Sequence, residues 1–209
     1  SGVRPLRVVV DAGNGMAGHT VPPIFARLPF ILDPLYFELD GTFPNHEATP
    51  LDPANLVDLQ PRVRATCADL GVAFDGDGDR MLAVDETGAA LDGDQILAVL
   101  ALALDVDTVA VTTMTNLGFH RLMAERGIRV LTTDVGDRHV LAAMRAEGAV
   151  LGGEQSGHII ALDGHVTGDG LAAALLLCKA LDGGSLAAAA SVLELLPQAK
   201  ENIRVDRPG

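Results

Sequence analysis

The chain has 209 residues, 48% hydrophobic and 21% charged, which is typical of a globular protein with one large or two small domains. Its net charge of −13 and its 3% aromatic content exclude the basic and aromatic surfaces that bind nucleic acids. No apolar run reaches the length of a membrane span, and the two cysteines, Cys67 and Cys178, are predicted to lie in the core rather than in a disulfide. We therefore expect a cytoplasmic protein with no nucleic-acid or membrane partner.

The first half of the chain alternates strands with helices. A helix that follows the first strand is expected to be interrupted by Pro22-Pro23. The predicted elements are a strand at LRVVVD (6–11), a turn at AGNGMAG (12–18), a strand at DPLYFELD (33–40), a polar loop (40–53), a helix within 54–69, a strand at LGVAF (70–74) and a hairpin at MLAVDETGAAL (81–91).

The second half repeats this outline, since each half begins with a strand entering a polar loop and later runs helix, strand, polar loop. Its predicted elements are helices at 94–104, 116–127, 137–148 and 171–184, strands at 107–114, 128–134 and 149–153, and an exit linker from 198 to 209. We predict an α/β fold of two related three-layer domains with mixed, mostly parallel sheets, comprising residues 1–91 and 92–209.

Three aspartates on alternate positions follow the strand at 70–74, in the stretch FDGDGDR. On a strand, Asp75, Asp77 and Asp79 would point to opposite faces, but the glycines between them allow the chain to curl until all three carboxylates face one point. Such a group suits Mg²⁺, and Arg80 beside it would offer a fork of donors to a phosphate oxygen. A solvated acidic turn is the alternative, but the preceding strand and the following arginine favour a metal site.

Two other motifs in the first half fit their usual context poorly. The acids match the spacing of an EF-hand loop ending at Glu86, but Arg80 replaces the required glycine and a strand precedes the loop. GNGMAG (13–18) matches the glycine fingerprint of dinucleotide-binding folds. Because Asp11 and Ala12 separate the valines of the strand from the first glycine and Pro22-Pro23 interrupt the next helix, a tight turn is the preferred interpretation.

A second polar loop, GGEQSGH (152–158), follows the strand at 149–153. Glu154 and Ser156 would hydrogen-bond sugar hydroxyls, and His158 would donate or accept a proton. A surface turn is the alternative, but the acidic loop occupies the equivalent place in the first half, and ligands bind at the carboxyl ends of strands in such sheets. DVGDRHV, which opens a helix, is interpreted equally well as a helix cap, and the remaining histidines have no ligand spacing.

These motifs resemble those of the α-D-phosphohexomutases. FDGDGDR is similar to the metal loop of that superfamily, GGEQSGH to its sugar-recognition loop, and VVVDAGNGMAG to the opening of its second domain. The resemblance covers nearly the whole chain and implies the second and third domains. YFELDGTFPNHEATP resembles bacterial phosphomannomutases, whereas TNLGFHRLM, VGDRHV, GGEQSGHII and TGDG resemble phosphoglucosamine mutases.

The resemblance implies a four-domain enzyme that interconverts hexose 6-phosphate and hexose 1-phosphate through a phosphoserine and a 1,6-bisphosphate intermediate, with Mg²⁺ as cofactor. Arg80 would steady the transferring phosphoryl group, and the loop at 152–158 would grip the sugar. The motifs and the resemblance together predict Asp75, Asp77 and Asp79 as metal ligands, Arg80 and His158 as catalytic residues, and Glu154, Ser156 and His158 as substrate-binding residues.

Two elements of that family have no counterpart in the sequence: the Ser-His-Asn loop that carries the phosphoserine and a late Arg/Ser/Gly/Thr loop for the second phosphate. We therefore expect an excised piece, inactive alone, whose partners are a hexose phosphate and the missing flanking domains, and the Ser1-Gly2 opening agrees with this. Phosphoglucosamine mutase is favoured because the sugar loop lies in the second half. The alternatives are phosphomannomutase or phosphoglucomutase, a non-catalytic module that binds metal or sugar phosphate, and a dinucleotide-binding oxidoreductase.

Overall fold

Two mixed sheets with the same strand order organise the chain, which a computed structural model describes for residues 4–181 and 183–199. The first contains β1 (Arg7–Asp11), β2 (Ile31–Leu35), β3 (Leu70–Phe74), β4 (Met81–Asp85) and β5 (Ala90–Leu91), in the spatial order β2-β1-β3-β4-β5. The second contains β6 (Thr108–Thr112), β7 (Arg129–Thr133), β8 (Leu151–Gly153) and β9 (Ile159–Ala161), in the order β7-β6-β8-β9. In each sheet the first three strands of that order are parallel and the fourth is antiparallel.

Helices cover both faces of the sheets and complete three layers. They are α1 (Ala17–Phe25), α2 (Leu59–Thr66), α3 (Gly93–Ala103), α4 (Leu117–Glu125), α5 (Asp137–Glu147), α6 (Gly170–Ala180) and α7 (Leu186–Ala190), and a short 3-10 helix (Pro53–Leu56) precedes α2. Helix α2 packs on β1, β3 and β4, and α5 takes the equivalent place on β6, β7 and β8. Helices α3 and α6 pack on each other and on strands of both sheets. The predicted α/β class, with three layers and mixed, mostly parallel sheets, is confirmed.

Strand β1 shows why the parallel strands are apolar at consecutive positions. Val8 and Val10 belong to the largest hydrophobic cluster, whereas Val9, on the opposite face, packs with residues of α2. A strand that helices cover on both faces has no solvated side, so its apolar residues do not alternate with polar ones. The largest cluster also contains Val109 and Leu151 of the second sheet. The two repeats therefore share a core, and their division into domains at residue 91 stays a prediction.

Helix α1 differs from the sequence-based expectation, because it continues through Pro22 and Pro23. Proline lacks the N–H group that an interior helical position normally donates. However, Ala17, Val21 and Phe25 form one buried face of the helix, and burying a large apolar side chain contributes about 1.5–3 kcal/mol. This burial offsets the two hydrogen bonds that the prolines cannot donate.

Several smaller differences involve backbone conformation. Strand β2 begins two residues earlier than predicted and ends at Leu35, because Tyr36 has a φ of 57°, which does not continue a strand. Cys67 caps α2 with a φ of 49° and is exposed, so its predicted core position was wrong, whereas Cys178 is buried as predicted. The sequence does not predict β9 or α7.

The predicted exit linker lies largely beyond the part of the chain that the structure describes, since residues 200–209 are outside it. Within the described residues, no helix combines the length and the apolar character that crossing a membrane requires.

Candidate functional site

The loop between β3 and β4 carries the three aspartates, and we call residues 75–80 the acidic loop. The Asp75 Oδ1 atom accepts hydrogen bonds from the N–H groups of Gly78 and Arg80, both at 3.1 Å. Gly78 has a φ of 79°, a conformation that glycine adopts at no steric cost. The first carboxylate of the loop thus closes the loop on itself, at the edge where the parallel strands β1 and β3 end.

This closure gathers the three carboxylates. Single oxygens of Asp75, Asp77 and Asp79 lie within 4.8 Å of one another. Burial, and to a lesser extent the charges of Asp79 and Asp77, raises the pKa of Asp75 from 3.8 to about 6. Among the described residues, the buried Asp79 Oδ1 atom has no hydrogen-bond partner. A group of mutually repelling oxygens with one unsatisfied member fits a hard divalent cation such as Mg²⁺.

Two segments of the first half hold the acidic loop in place through Gly76. The N–H group of Gly76 donates to Ala48 O at 3.1 Å, and Gly76 O accepts from the N–H group of Met16 at 2.9 Å. A Cβ atom at Gly15 would lie 2.6 Å from Gly76 O, and one at Gly18 would lie 2.3 Å from Phe37 O. The glycines of GNGMAG therefore allow backbone segments to touch, and protein backbone occupies the approach that a dinucleotide's pyrophosphate would need.

A histidine–carboxylate contact close to these segments was not predicted from the sequence. His46 Nε2 lies 3.1 and 3.2 Å from the two carboxylate oxygens of Asp11, which is fully buried. Burial raises the pKa of Asp11, and the neighbouring His46 offsets part of that rise. The pair fixes the loop segment that leads to Ala48. The sequence feature that could have indicated this contact is Asp11 itself, a carboxylate at the carboxyl end of β1, a central strand of its sheet.

The loop between β8 and β9, residues 154–158, occupies in the second sheet the place of the acidic loop in the first, and we call it the EQSGH loop. Glu154 Oε1 accepts a hydrogen bond of 3.0 Å from the N–H group of Gly136, at the N-terminus of α5. The dipole of a helix favours a negative charge at this end. The cap residue of α5 is Gly136, which makes no side-chain cap hydrogen bond, and Asp137 lies in the first turn of the helix that DVGDRHV was predicted to open.

His158 and Arg80 join the two loops. Their backbones form an antiparallel bridge, and the N–H group of Met81 donates to Gly157 O at 3.1 Å. His158 Nδ1 lies 3.3 Å from Asp79 Oδ2. Arg80 Nε lies 3.7 Å from an oxygen of Asp75 and 3.7 Å from Asp79 Oδ1. A guanidinium group and an imidazole nitrogen therefore face the carboxylates.

Both loops border one cavity of about 850 Å³. Its lining includes five of the predicted site residues, which are Asp79, Arg80, Glu154, Ser156 and His158. Asp77 instead borders a second cavity, of about 560 Å³, on the other side of the acidic loop. Small-molecule sites typically measure about 300–1,000 Å³, so the larger cavity has the size for a sugar phosphate. The sequence did not predict that Val135, Gly136 and Asp137 also line it.

Comparison with known protein families gives two adjoining matches. Residues 1–88 match the family model described as phosphoglucomutase/phosphomannomutase, alpha/beta/alpha domain II. Residues 92–199 match the model of alpha/beta/alpha domain III of the same family.

Curated relatives agree with these matches. A phosphoglucosamine mutase from Frankia casuarinae is 48% identical over 97% of this chain, and one from Acidothermus cellulolyticus is 49% identical over 95% of it. The chain spans 46% and 44% of the lengths of these two relatives, or about half.

Solved structures show the same fold. A phosphoglucomutase/phosphomannomutase family protein from Burkholderia thailandensis, 35% identical, superposes with a TM-score of 0.82 over 91% of this chain and 43% of its own. An N-acetylphosphoglucosamine mutase from Aspergillus fumigatus, in complex with GlcNAc-6P and magnesium, has a TM-score of 0.69 at 18% identity, over 94% of this chain and 50% of its own.

Proposed function

The chain belongs to the phosphoglucomutase/phosphomannomutase family, and we propose that it is the central part of an enzyme that interconverts hexose 6-phosphate and hexose 1-phosphate. Since it spans only about half the length of its curated relatives, the phosphoryl donor and the anchor for the second phosphate belong to flanking domains of the complete protein. These domains are its expected partners, besides the sugar phosphate. The cytoplasmic location expected from the sequence stays a prediction.

One observation carries the proposal: the acidic loop, which gathers three carboxylates, and the polar loop from the equivalent place of the second repeat border a single cavity. Asp79 and Arg80 of the acidic loop line the cavity together with Glu154, Ser156 and His158 of the EQSGH loop. Phosphoryl transfer requires little covalent chemistry from the protein and depends mainly on positioning and on neutralising charge. A cation site beside hydrogen-bonding groups for a sugar meets both requirements.

The proposed roles follow from the contacts. Asp75, Asp77 and Asp79 would hold Mg²⁺, which when bound would neutralise charge on the phosphoryl oxygens. Arg80, 44% exposed and held near the carboxylates, offers its donors to a phosphoryl oxygen. Glu154 is anchored by the N–H group of Gly136 and accepts hydrogen bonds from sugar hydroxyls.

The remaining two roles, a further contact with the sugar and the exchange of a proton, belong to Ser156 and His158. Ser156, on the cavity wall, completes the contact with the sugar hydroxyls. His158 holds Asp79 through Nδ1, and its exchange of a proton with the substrate stays a prediction.

We propose glucosamine phosphate as the preferred substrate. The curated relatives at 44–49% identity over nearly the whole chain bear the name phosphoglucosamine mutase, which supports this choice over mannose or glucose phosphate. The Aspergillus fumigatus structure with GlcNAc-6P and magnesium is that of a related mutase, and it supports both the sugar class and the cation.

Substitutions in the complete protein test these roles. We expect Glu154→Ala and Ser156→Ala to lower kcat/KM for glucosamine 6-phosphate while leaving Mg²⁺ affinity unchanged, because both residues contact the sugar and not the ion. A hydrogen bond to a charged group contributes about 1.5–3 kcal/mol, so Glu154→Ala is expected to cost about tenfold to a hundredfold, more than Ser156→Ala. Asp77→Asn is expected to weaken Mg²⁺ binding instead.

Glu125→Ala is the matched control, since this exposed glutamate is the last residue of α4 and lines neither of the two cavities. It is expected to retain wild-type kinetics. Wild-type turnover by both Glu154→Ala and Ser156→Ala would contradict the assignment of the EQSGH loop to the sugar site. Unchanged Mg²⁺ affinity in Asp77→Asn would contradict the assignment of the acidic loop to the cation site.

A further inference from the structure

The segment TGDG, residues 167–170, lies between the two loops of the site, and the roles proposed above do not involve it. Gly168 pairs with Ile160 of β9 in an antiparallel bridge. The N–H group of Gly170 donates to Gly78 O of the acidic loop at 3.1 Å, and Asp169 accepts a hydrogen bond from Ala172 N as the cap of α6. The backbone of this segment is therefore fixed at both ends.

Gly168 lies directly against the imidazole ring of His158. A Cβ atom at residue 168 would lie 2.1 Å from Nε2, 2.5 Å from Cε1 and 2.7 Å from Cδ2 of that ring. No positive φ is involved at Gly168, in contrast to Gly157 with its φ of 88°. Residue 168 thus lacks a side chain because of the space that the ring occupies and not because of its backbone conformation.

The His158 ring has little freedom on its other sides. Its backbone is paired with Arg80, and its carbonyl accepts from the N–H group of Glu154 at 3.0 Å. Its Nδ1 atom faces Asp79 Oδ2 at 3.3 Å, and the residue is 5% exposed. A methyl group at residue 168 would have to rotate the ring, because backbone pairing fixes both residues, and rotation would take Nδ1 away from Asp79.

We propose that Gly168 is a positioning residue: it sets the orientation of the His158 ring, which in turn holds Asp79 in place to bind the cation. This inference rests on the proposed function, since it assigns Asp79 to a metal site. Partners that orient a metal ligand commonly affect metal affinity by about tenfold or more.

A double-mutant cycle on the 209-residue chain tests the proposal, with Mn²⁺ alone as the probe of the cation site. We expect Gly168→Ala and His158→Ala each to weaken Mn²⁺ binding by about tenfold or more. Because the added methyl group acts only through the ring, the double variant should bind Mn²⁺ no more weakly than His158→Ala. Gly41→Ala, where a Cβ atom would meet nothing within 4 Å, is the control and should bind as wild type.

Wild-type affinity in Gly168→Ala, or an equal loss in both backgrounds, would overturn the proposal. If Gly168→Ala fails to fold, circular dichroism of the double variant decides: recovery of the fold supports a clash with the ring, and continued unfolding contradicts it.

A metal-free readout separates this inference from the proposed function. In wild type, nuclear Overhauser contacts should connect the His158 ring protons with the α protons of residue 168, and their absence would contradict the proposed contact between Gly168 and the ring. If the wild-type chain shows those contacts but does not bind Mn²⁺, the result would instead count against the metal site.

Discussion

At the scale of single residues, Asp75 connects the geometry of the site most directly to a measurable property. The residue is 8% exposed, and its carboxylate closes the acidic loop through two backbone N–H groups and lies next to two other acids. Burial and these charges raise its pKa to about 6. In the absence of a cation, the folded chain therefore holds this proton more tightly than the unfolded chain, and protonation stabilises the fold as the pH falls through about 6.

Cation binding should show the opposite dependence on pH. A carboxylate must be deprotonated to bind a metal, so a proton on Asp75 competes with the ion. We expect Mn²⁺ affinity to be constant above about pH 7 and to fall by about tenfold per pH unit below about pH 6, as measured by titration at constant ionic strength.

Asp75→Asn provides the control for this dependence. The variant is expected to bind Mn²⁺ more weakly than wild type at neutral pH and to show a smaller change of affinity around pH 6, because the titrating group is gone. An identical pH profile in wild type and variant would assign the effect to another group.

At the scale of secondary-structure elements, the sequence predicts most strands and helices, and the exceptions have identifiable causes. Helix α1 passes through Pro22-Pro23 because one of its faces is buried, and burial depends on tertiary contacts that local pattern does not reveal. Strand β9 has only three residues, and its pairing with β8 stabilises it. Periodicity over so few residues carries little information.

The candidate site likewise combines features that the sequence predicts with features that depend on tertiary contacts. The acidic loop and the EQSGH loop could be predicted because each concentrates chemically distinctive residues after a buried strand. The contribution of Gly136 to holding Glu154 could not be predicted, since the two residues lie 18 positions apart and meet only when β8 and α5 pack together. The same holds for the support that Ala48 gives to Gly76.

A pair of glycine substitutions tests how tightly the two sheets are joined. Gly148 and Gly157 both have positive φ, 72° and 88°, but a Cβ atom at Gly148 would meet nothing within 4 Å, whereas one at Gly157 would lie 2.3 Å from Met81 O. We expect Gly148→Ala to cost about 1 kcal/mol of unfolding free energy, from backbone strain alone. Gly157→Ala should cost at least about 3 kcal/mol, because it also separates two backbones.

Urea denaturation of both variants provides the comparison, with Gly41→Ala as the control, because residue 41 has neither a positive φ nor a close neighbour. Equal losses of stability at the two glycines would mean that the EQSGH loop moves away from β4 at little cost.

At the scale of the whole molecule, the repeated strand order explains why two different loops form one site. The acidic loop links β3 to β4 and the EQSGH loop links β8 to β9, which are equivalent connections in the two sheets. Helices α3 and α6 pack on both sheets and belong to a hydrophobic cluster shared by the two repeats. The loops are thus held together by the core, and not only by their mutual hydrogen bonds.

Because the two repeats share a core, they should unfold together in the isolated chain. We expect one cooperative unfolding transition, seen at the same urea concentration by circular dichroism and by the fluorescence of Tyr36 in the first repeat. We also expect no mutase activity, because the sequence has no counterpart of the family's phosphoserine loop. Two separate transitions would contradict the shared core, and turnover of a hexose phosphate by this chain alone would require a nucleophile within it.

We propose that this chain supplies the cation site and the sugar site of a phosphohexomutase. The most direct test is the steady-state assay of the complete protein with the 6-phosphates of glucosamine, mannose and glucose, with Mg²⁺ and after its removal by a chelator. We predict turnover that requires Mg²⁺ and has the highest kcat/KM for glucosamine 6-phosphate, with mutase activity lost in Asp77→Asn. Failure of the folded, complete protein to isomerise any of the three sugar phosphates in the presence of Mg²⁺ and bisphosphate activator would contradict the claim.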